Sequence, residues 1–264
     1  MKHAFLAVWS YRYFILSSIK TEFRSSFVRS KLGGLWMILN PLAQVLIYAL
    51  VLSAVLKAKL PGIDSQYAYA IYLMAGMTGW NLFFEIVNRS LNVFIDNGNL
   101  FKKMSFPKLT LPFIVIGSSL VNFFLLLLAM FVVFAFLGHT MFHAILWLPL
   151  LIAITLMMAV GIGLTLGILN VFIRDIGQIM SIFLQFWFWL TPVVYALSII
   201  PEAYRHLFFL NPMAGVIEGY HSVLVYGKAP DLHLLLYPVA VGTVSLILAL
   251  FMYRKANEEM ADVL

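Results

Sequence analysis

The stretch LTLPFIVIGSSLVNFFLLLLAMFVVFAFL, which runs from Leu109 to Leu137, contains no Asp, Glu, Lys or Arg. A helix needs about 20 predominantly apolar residues to cross the hydrocarbon core of a bilayer. This segment exceeds that length, and its apolar residues form a solid run rather than the alternation that is typical of a barrel strand. It therefore predicts a transmembrane α-helix.

Five further charge-free runs have a similar length, at residues 35–56, 65–84, 144–173, 176–200 and 232–253. We expect the helix of the run at 65–84 to continue to about residue 88. The 264-residue chain is 63% apolar and 11% charged, whereas soluble domains are about 45–50% apolar and about 25% charged. The sequence therefore predicts an all-α polytopic membrane protein with six transmembrane helices and a transmembrane domain over residues 35–264.

The segment between the fifth and sixth runs, about residues 201–230, has a different pattern. Its apolar stretches at 207–217 and 219–227 are too short to span a bilayer, and several residues interrupt them: Pro212, Gly215, Glu218, Gly219 and Gly227. Apolar stretches of about 10–14 residues are often re-entrant or interfacial. We expect a re-entrant pair of half-helices here; the alternative is an ordinary surface loop.

Residues 1–34 mix apolar and basic positions. The apolar residues recur at spacings of three, four or seven, at Phe5, Trp9, Leu16, Ile19, Phe23 and Phe27. Cations lie between them, so the pattern predicts an amphipathic helix in the plane of the membrane interface. A cleaved signal peptide is not expected, because Arg12 interrupts the apolar core that such a peptide needs.

The distribution of Lys and Arg predicts the orientation of the chain. With the N terminus in the cytoplasm, the loops place outside only four of the 17 Lys and Arg residues: Lys57, Lys59, Arg205 and Lys228. Cytoplasmic loops of membrane proteins carry an excess of these residues. We therefore expect both termini in the cytoplasm, and the net charge of +6 needs no nucleic-acid partner to explain it.

The chemistry that the chain lacks is also informative. It contains no G-x-x-x-x-G-K-[ST] phosphate-binding loop, no H-E-x-x-H or G-x-S-x-G motif and no cysteine. His139 and His143 have no neighbouring carboxylate, so no metal site is expected. No charge lies in the middle of a predicted span, which argues against ion-coupled transport. Glu85 and Arg89 are predicted to pair at i,i+4.

The inside loop at about 96–108 is the most informative polar stretch. Asn99 is a potential N-cap for a short helix at Leu100–Met104, and Pro107 would end it. Such a helix would present Leu100, Phe101 and Met104 on one side and Lys102 and Lys103 on another. A small apolar surface with basic flanks suits docking into a groove on a cytoplasmic partner. The alternative is a solvated loop whose lysines reflect only the positive-inside rule, and the spacing of the residues fits both interpretations equally well.

Several ordered motifs together resemble a known family. They are, in chain order, Leu35-Trp-Met-Ile-Leu-Asn-Pro-Leu42, Gly79-Trp-Asn-Leu-Phe-Phe-Glu85, Asn99-Leu-Phe-Lys-Lys-Met-Ser-Phe-Pro-Lys108 with Leu111-Pro112, Asn170-Val-Phe-Ile-Arg-Asp175, Pro192-Val193 with Tyr195, Leu210-Asn-Pro-Met-Ala-Gly215, and Glu218-Gly219. This set, which covers roughly residues 10–255, resembles the transmembrane subunits of ABC-2 type exporters, specifically the polysaccharide and O-antigen export permeases.

The resemblance implies partners that the composition does not show. It implies that two copies of the chain form the pore, as a homodimer, in the bacterial inner membrane. It implies a separate ABC ATPase dimer, which binds ATP and Mg²⁺ and supplies ATP hydrolysis. This chain is therefore not expected to be an enzyme. It implies that the ATPase binds the amphipathic helix and a coupling helix at Asn99, Leu100, Phe101, Lys102, Lys103 and Met104. It also implies that the re-entrant pair is an outer gate at Asn211, Pro212 and Glu218. His221 stands where many relatives have a basic residue.

Aromatic residues suggest a path for a sugar polymer, because sugar rings offer apolar C–H faces to aromatic rings. The candidates for the substrate channel lie in span five and near the outer end of span two: Phe183, Phe186, Trp187, Trp189, Tyr195, Tyr67, Tyr69 and Tyr72. Aromatic residues also anchor membrane interfaces and pack cores, which is the alternative interpretation.

A lipid-linked polysaccharide carries a pyrophosphate that needs cations at the inside face. Arg24, Arg29 and Lys31 are the candidates, and contact with anionic head groups of membrane lipid is the alternative. Other substrates of the same fold stay open: capsule, teichoic acid or a drug. A lipid-sugar transferase would need clustered Asp, Glu or His and a passive channel would need a charged ring; the sequence shows neither.

Overall fold

The structure, a computed structural model, describes residues 9–27, 67–98, 107–139, 144–197, 200–256 and 259–260, together with positions 36, 39, 40, 43 and 47. Over this part of the chain the regular secondary structure is entirely helical. Most of the first predicted span, residues 35–56, lies outside the described residues. The other predicted spans can be compared with the structure.

Eight α-helices have complete bounds within the described residues. They are α1 (Arg12–Phe27), α2 (Ala68–Asp96), α3 (Thr110–Phe136), α4 (Leu148–Phe172, which follows a 3₁₀ turn at Ile145–Trp147), α5 (Asp175–Leu190), α6 (Glu202–Phe208), α7 (Pro212–Leu224) and α8 (Leu232–Ala256). Four segments are long and apolar enough to cross a membrane: α2, α3, Ile145–Phe172 and α8. These match the spans predicted at 65–88, 109–137, 144–173 and 232–253.

The helix of the fifth predicted span is shorter than expected. α5 has 16 residues and stops at Leu190, rather than near residue 200. Thr191 has an extended backbone, with φ −101° and ψ 135°, because the proline that follows it disfavours the helical conformation. At about 1.5 Å per residue, α5 alone falls short of a hydrocarbon core of about 30 Å.

The two short helices of the 201–230 segment are present, but the break between them differs from the prediction. The sequence suggested an interruption at Glu218 and Gly219, whereas α7 runs through both. The break lies before α7, where the Asn211 side chain caps the helix and Pro212 occupies its first turn. Both residue types favour a helix start.

The core of the molecule surrounds α7. Its side chains are almost all buried, and α2, α4 and α8 pack around it. Gly76 and Gly79 of α2 form a notch for two α7 rings: a Cβ at Gly79 would lie 2.5 Å from Tyr220, and one at Gly76 would lie 2.7 Å from His221. Because these two glycines have no side chain, the Tyr220 and His221 rings fit against α2, and this contact fixes the position of α7 relative to α2.

Glycines of α4 bring the long helices into backbone contact. A Cβ at Gly161 would lie 2.6 Å from the Leu246 backbone nitrogen of α8, and one at Gly167 would lie 2.2 Å from the Ser90 carbonyl oxygen of α2. Close approach at small residues is how helices associate in a membrane, where burial of apolar area contributes little. α4 therefore forms the centre of a three-helix layer with α2 and α8.

We predict that Gly167→Val destabilises the folded chain. The added side chain meets backbone that cannot move aside, and overpacking of this kind costs about 1–3 kcal/mol. The thermal unfolding midpoint of the purified chain in detergent should fall. Ala153→Val, at an exposed position of the same helix, is the matched control and should leave the midpoint unchanged. Equal midpoints for both variants would contradict the close approach of α4 and α2.

Candidate functional site

A buried asparagine fixes the start of α5. The Asn170 Nδ2 donates to the Leu91 carbonyl oxygen at 2.8 Å and to the Asn92 Oδ1 at 3.1 Å, and its Oδ1 accepts from the Gly177 backbone N–H at 2.8 Å. The side chain therefore joins the end of α4 to both α2 and the first turn of α5. Buried polar groups stabilise a structure only when they are satisfied in this way.

A second asparagine fixes the end of α5. The Asn211 Oδ1 accepts from the Trp187 Nε1 at 2.7 Å and from the Met213 backbone N–H at 3.0 Å. Its Nδ2 donates to the Thr191 Oγ1 at 2.8 Å and to the Leu190 carbonyl oxygen at 3.2 Å. One side chain thus caps α7 and holds the last turn of α5.

Between these two asparagines, α5 presents an aromatic face that nothing in the described residues covers. Only Gly177 and Leu184 of this helix are fully buried. Phe183, Phe186 and Trp189 are 46%, 65% and 65% exposed, and their spacing of three places them along one side of the helix. The structure therefore brings three of the predicted channel residues together on one accessible surface.

Trp187 has a different environment from its neighbours. Its ring is half-buried and makes edge contacts with Phe83, at 5.1 Å between centroids, and with Trp80, at 6.4 Å. Together with the hydrogen bond to Asn211, these contacts make Trp187 a packing residue that joins α5 to α2 and α7. The sequence alone did not separate it from Phe186.

The predicted tyrosines hold the turn that follows α5. The Tyr69 hydroxyl donates to the Val194 carbonyl oxygen, the Tyr72 hydroxyl to the Tyr195 carbonyl oxygen at 3.3 Å, and the Tyr195 hydroxyl to the Trp189 carbonyl oxygen at 3.0 Å. Tyr72 is buried, whereas Tyr67, one residue before α2, is 37% exposed. Three of the four tyrosines thus fix the backbone of residues 189–195.

The predicted gate residues lie in and just before α7. Asn211 and Pro212 start this helix, and the Glu218 Oε2 lies 3.8 Å from the Nδ1 of His221. His221 is fully buried, stacks on Tyr72 at 3.6 Å, and has no hydrogen-bond partner in the described residues. Burial lowers the pKa of His221, and Glu218 offsets this only in part.

A charged network joins α1 to the helices behind it. The predicted pair of Arg89 with Glu85 is confirmed, at 3.4 Å, and Arg89 also pairs with Glu22 of α1 at 2.6 Å. The Ser118 hydroxyl donates to Glu22 at 2.7 Å, and the Asn122 Nδ2 to Glu85 at 2.8 Å. No sequence pattern predicted Glu22 as a partner, because it lies far along the chain from Arg89.

Other predicted residues are only partly described. Arg24 is exposed on α1, whereas Arg29 and Lys31, the other pyrophosphate candidates, lie outside the described residues. The predicted coupling helix, Asn99 to Met104, also lies outside them. The roles of these residues stay predictions.

Comparisons with known proteins cover nearly the whole chain. Residues 13–225 match the family described as ABC-2 type transporter. The chain is 30% identical over 258 residues to the O-antigen export system permease protein RfbA of Myxococcus xanthus, with 97% of this chain and 96% of that protein covered. It is 27% identical to a Klebsiella pneumoniae protein of the same name, with 93% and 91% covered.

A second group of relatives is named for a different polysaccharide. The chain is 24% identical over 240 residues to the polysialic acid transport protein KpsM of Escherichia coli, with 90% of this chain and 92% of that protein covered. Similarity therefore extends end to end in relatives of both kinds, rather than being confined to one segment.

We predict that Asn211→Ala destabilises the chain by about 2–3 kcal/mol, from loss of a helix cap and of hydrogen bonds worth about 1 kcal/mol each. Asn211→Asp keeps the acceptor and should lose less. The readout is the thermal midpoint in detergent. Asn81→Ala removes an asparagine for which the described residues supply no side-chain hydrogen bond, and should change little. An Asn211→Ala midpoint equal to that of Asn81→Ala would show that this side chain does not hold α5.

Proposed function

This chain belongs to the ABC-2 type transporter family, and from that membership we propose that it is the permease subunit of an ATP-driven exporter, which moves a lipid-linked polysaccharide such as O-antigen across the inner membrane to the periplasm. The observation that carries the proposal is the end-to-end similarity to O-antigen export permeases, which covers 97% of this chain and 96% of the Myxococcus xanthus protein. It is a membrane transport subunit and not a catalytic enzyme.

The energy for export comes, in this proposal, from a separate ABC ATPase dimer that binds ATP and Mg²⁺. Two observations support it: the sequence has no phosphate-binding loop, and the charged residues Glu85 and Arg89 in the C-terminal half of α2 are paired with each other. The ATPase would bind the loop at Asn99 to Met104, which the family likeness identifies as the coupling helix, together with α1.

The proposed topology has six spans, with the first at 35–56 and the fifth formed by α5 and the turn after it. α6 and α7 form the re-entrant pair. α7 has 13 residues, which at about 1.5 Å per residue is too short to cross a bilayer, yet it is buried among α2, α4 and α8. Burial of a short helix within long apolar ones supports re-entry from the outer face.

The proposed pore is made by two copies of the chain, with the aromatic face of α5 toward the glycan. The exposure of Phe183, Phe186 and Trp189 supports this assignment. An uncharged aromatic wall suits sugar rings of varied identity, because it contacts C–H faces without holding a fixed charge. Arg24, with Arg29 and Lys31, would receive the pyrophosphate at the cytoplasmic face.

A second substrate is favoured by one observation. The similarity to the polysialic acid transport proteins extends over 90% of this chain, so an acidic capsular glycan is the alternative cargo.

The proposed function is tested by reconstitution with the ABC ATPase subunit that the proposal requires. We expect vesicles that contain both proteins to move a lipid-linked O-antigen glycan into the lumen when ATP and Mg²⁺ are supplied outside. The measurement is protection of the glycan from an added glycosidase. Vesicles with an ATPase variant that binds but does not hydrolyse ATP are the control. Protection that is equal with both ATPases, or transport of polysialic acid alone, would contradict O-antigen export.

A further inference from the structure

A cavity of about 710 Å³ lies between α1, the C-terminal half of α2 and the first turns of α3. Its volume falls within the range of about 300–1,000 Å³ that small-molecule sites occupy. It is separate from the aromatic face of α5, because none of its lining residues belongs to α5. No part of the function proposed above uses it.

The α1 wall of the cavity is polar. Ser17, Ser18 and Thr21 line the cavity, whereas the large side chains of Trp9, Tyr13 and Leu16 are 65%, 70% and 62% exposed. Ser17 and Thr21 are exposed and Ser18 is half-buried, so these hydroxyl groups are accessible to a ligand in the cavity. No hydrogen bond reaches these three side chains from the described residues.

The α2 wall of the cavity carries two amides and one carboxylate, each four residues after the previous one. Asn88, Asn92 and Asp96 of α2 follow each other at i,i+4 and all line the cavity. The Asn92 Oδ1 already accepts from Asn170 at 3.1 Å, which leaves its amide N–H groups to donate. Among the described residues, the side chains of Asn88 and Asp96 have no hydrogen-bond partner. Amides, carboxylates and hydroxyls together both donate and accept, as a ligand with several hydroxyl groups requires.

The charge of the cavity disfavours an anion. Arg89 is the one cation among the described lining residues, and Glu22 and Glu85 already pair with it at 2.6 and 3.4 Å. Asp96 adds a further negative charge. A phosphate or pyrophosphate group would therefore meet more repulsion than attraction, whereas a neutral ligand would not.

An apolar surface completes the site. The Phe14 ring and the side chains of Leu111 and Ile114 line the same cavity. An aromatic ring beside hydroxyl, amide and carboxylate groups matches the two chemical faces of a pyranose, whose C–H groups are apolar and whose hydroxyls are polar.

We propose that this cavity binds a neutral sugar unit of the exported glycan, held by Thr21 and Asn88 at its hydroxyls and by Phe14 at its C–H face, with Ser17 in the wall beside it. The inference rests on the proposed function, because it takes the ligand to be the transported polymer. It assigns α1 a role in receiving cargo beside any contact with the ATPase. A glycolipid head group offers the same chemistry, and the test distinguishes the two sources.

The test uses the absence of cysteine from the chain. Ser17→Cys places a single thiol in the cavity of the full chain, in nanodiscs made only of phosphatidylcholine. The probes are neutral oligosaccharides of glucose, galactose, mannose, rhamnose and N-acetylglucosamine. We expect at least one to slow maleimide labelling by about threefold when its concentration is twice its dissociation constant. Leu16→Cys, on the exposed side of α1, is the matched control and should label at an unchanged rate.

Three results would overturn the assignment. The first is that no oligosaccharide slows maleimide labelling of Ser17→Cys. The second is that inorganic phosphate slows this labelling and the oligosaccharides do not. The third is that the labelling is slowed only in nanodiscs that contain a glycosyl diacylglycerol. Asn88→Leu replaces an amide of the cavity wall by an apolar group, so it should abolish protection while the thermal midpoint stays unchanged.

Glycan export by the wild-type complex is measured in parallel. Export without protection rejects this site and leaves the proposed function intact, whereas failure of export rejects the function itself.

Discussion

The amide of Asn211 is the interaction on which the rest of the functional region depends. It makes four hydrogen bonds, two as acceptor and two as donor, to Trp187, Met213, Thr191 and Leu190. Where water is scarce, an amide that loses such partners costs free energy instead of contributing it. This one side chain therefore sets both the start of the buried helix α7 and the end of the weakly packed helix α5.

Asn170 does the same at the other end of α5, so the helix is fixed at both termini, while the described residues cover little of its length. Only Gly177 and Leu184 of α5 are fully buried, Trp187 packs against α2, and the described residues leave the aromatic face between the two asparagines accessible. A helix with this arrangement can present a constant surface to a moving polymer without being buried itself. The proposed aromatic path follows from this constraint.

The long helices were predictable from the sequence because their cause is local: charge-free runs such as 109–137 have one stable outcome in a bilayer. The Glu85–Arg89 pair was predictable for the same reason, since i,i+4 neighbours meet on any helix. The partner of that pair, Glu22, was not, because its approach depends on how α1 packs against α3. The break at Asn211-Pro212 carried a local signal, but glycines at 215 and 219 suggested a later one; in the fold they serve close packing against α8 and Leu151.

The central claim is that the exposed face of α5 contacts the glycan, and photo-crosslinking tests it most directly. A benzoyl-phenylalanine replaces Phe186 in one sample and Val244 in another, an exposed position of α8 (66% exposed). Both are illuminated in vesicles that are transporting labelled glycan. Our account predicts a glycan adduct at position 186 that depends on ATP and none at 244. An absent adduct at 186, or equal adducts at both positions, would contradict it.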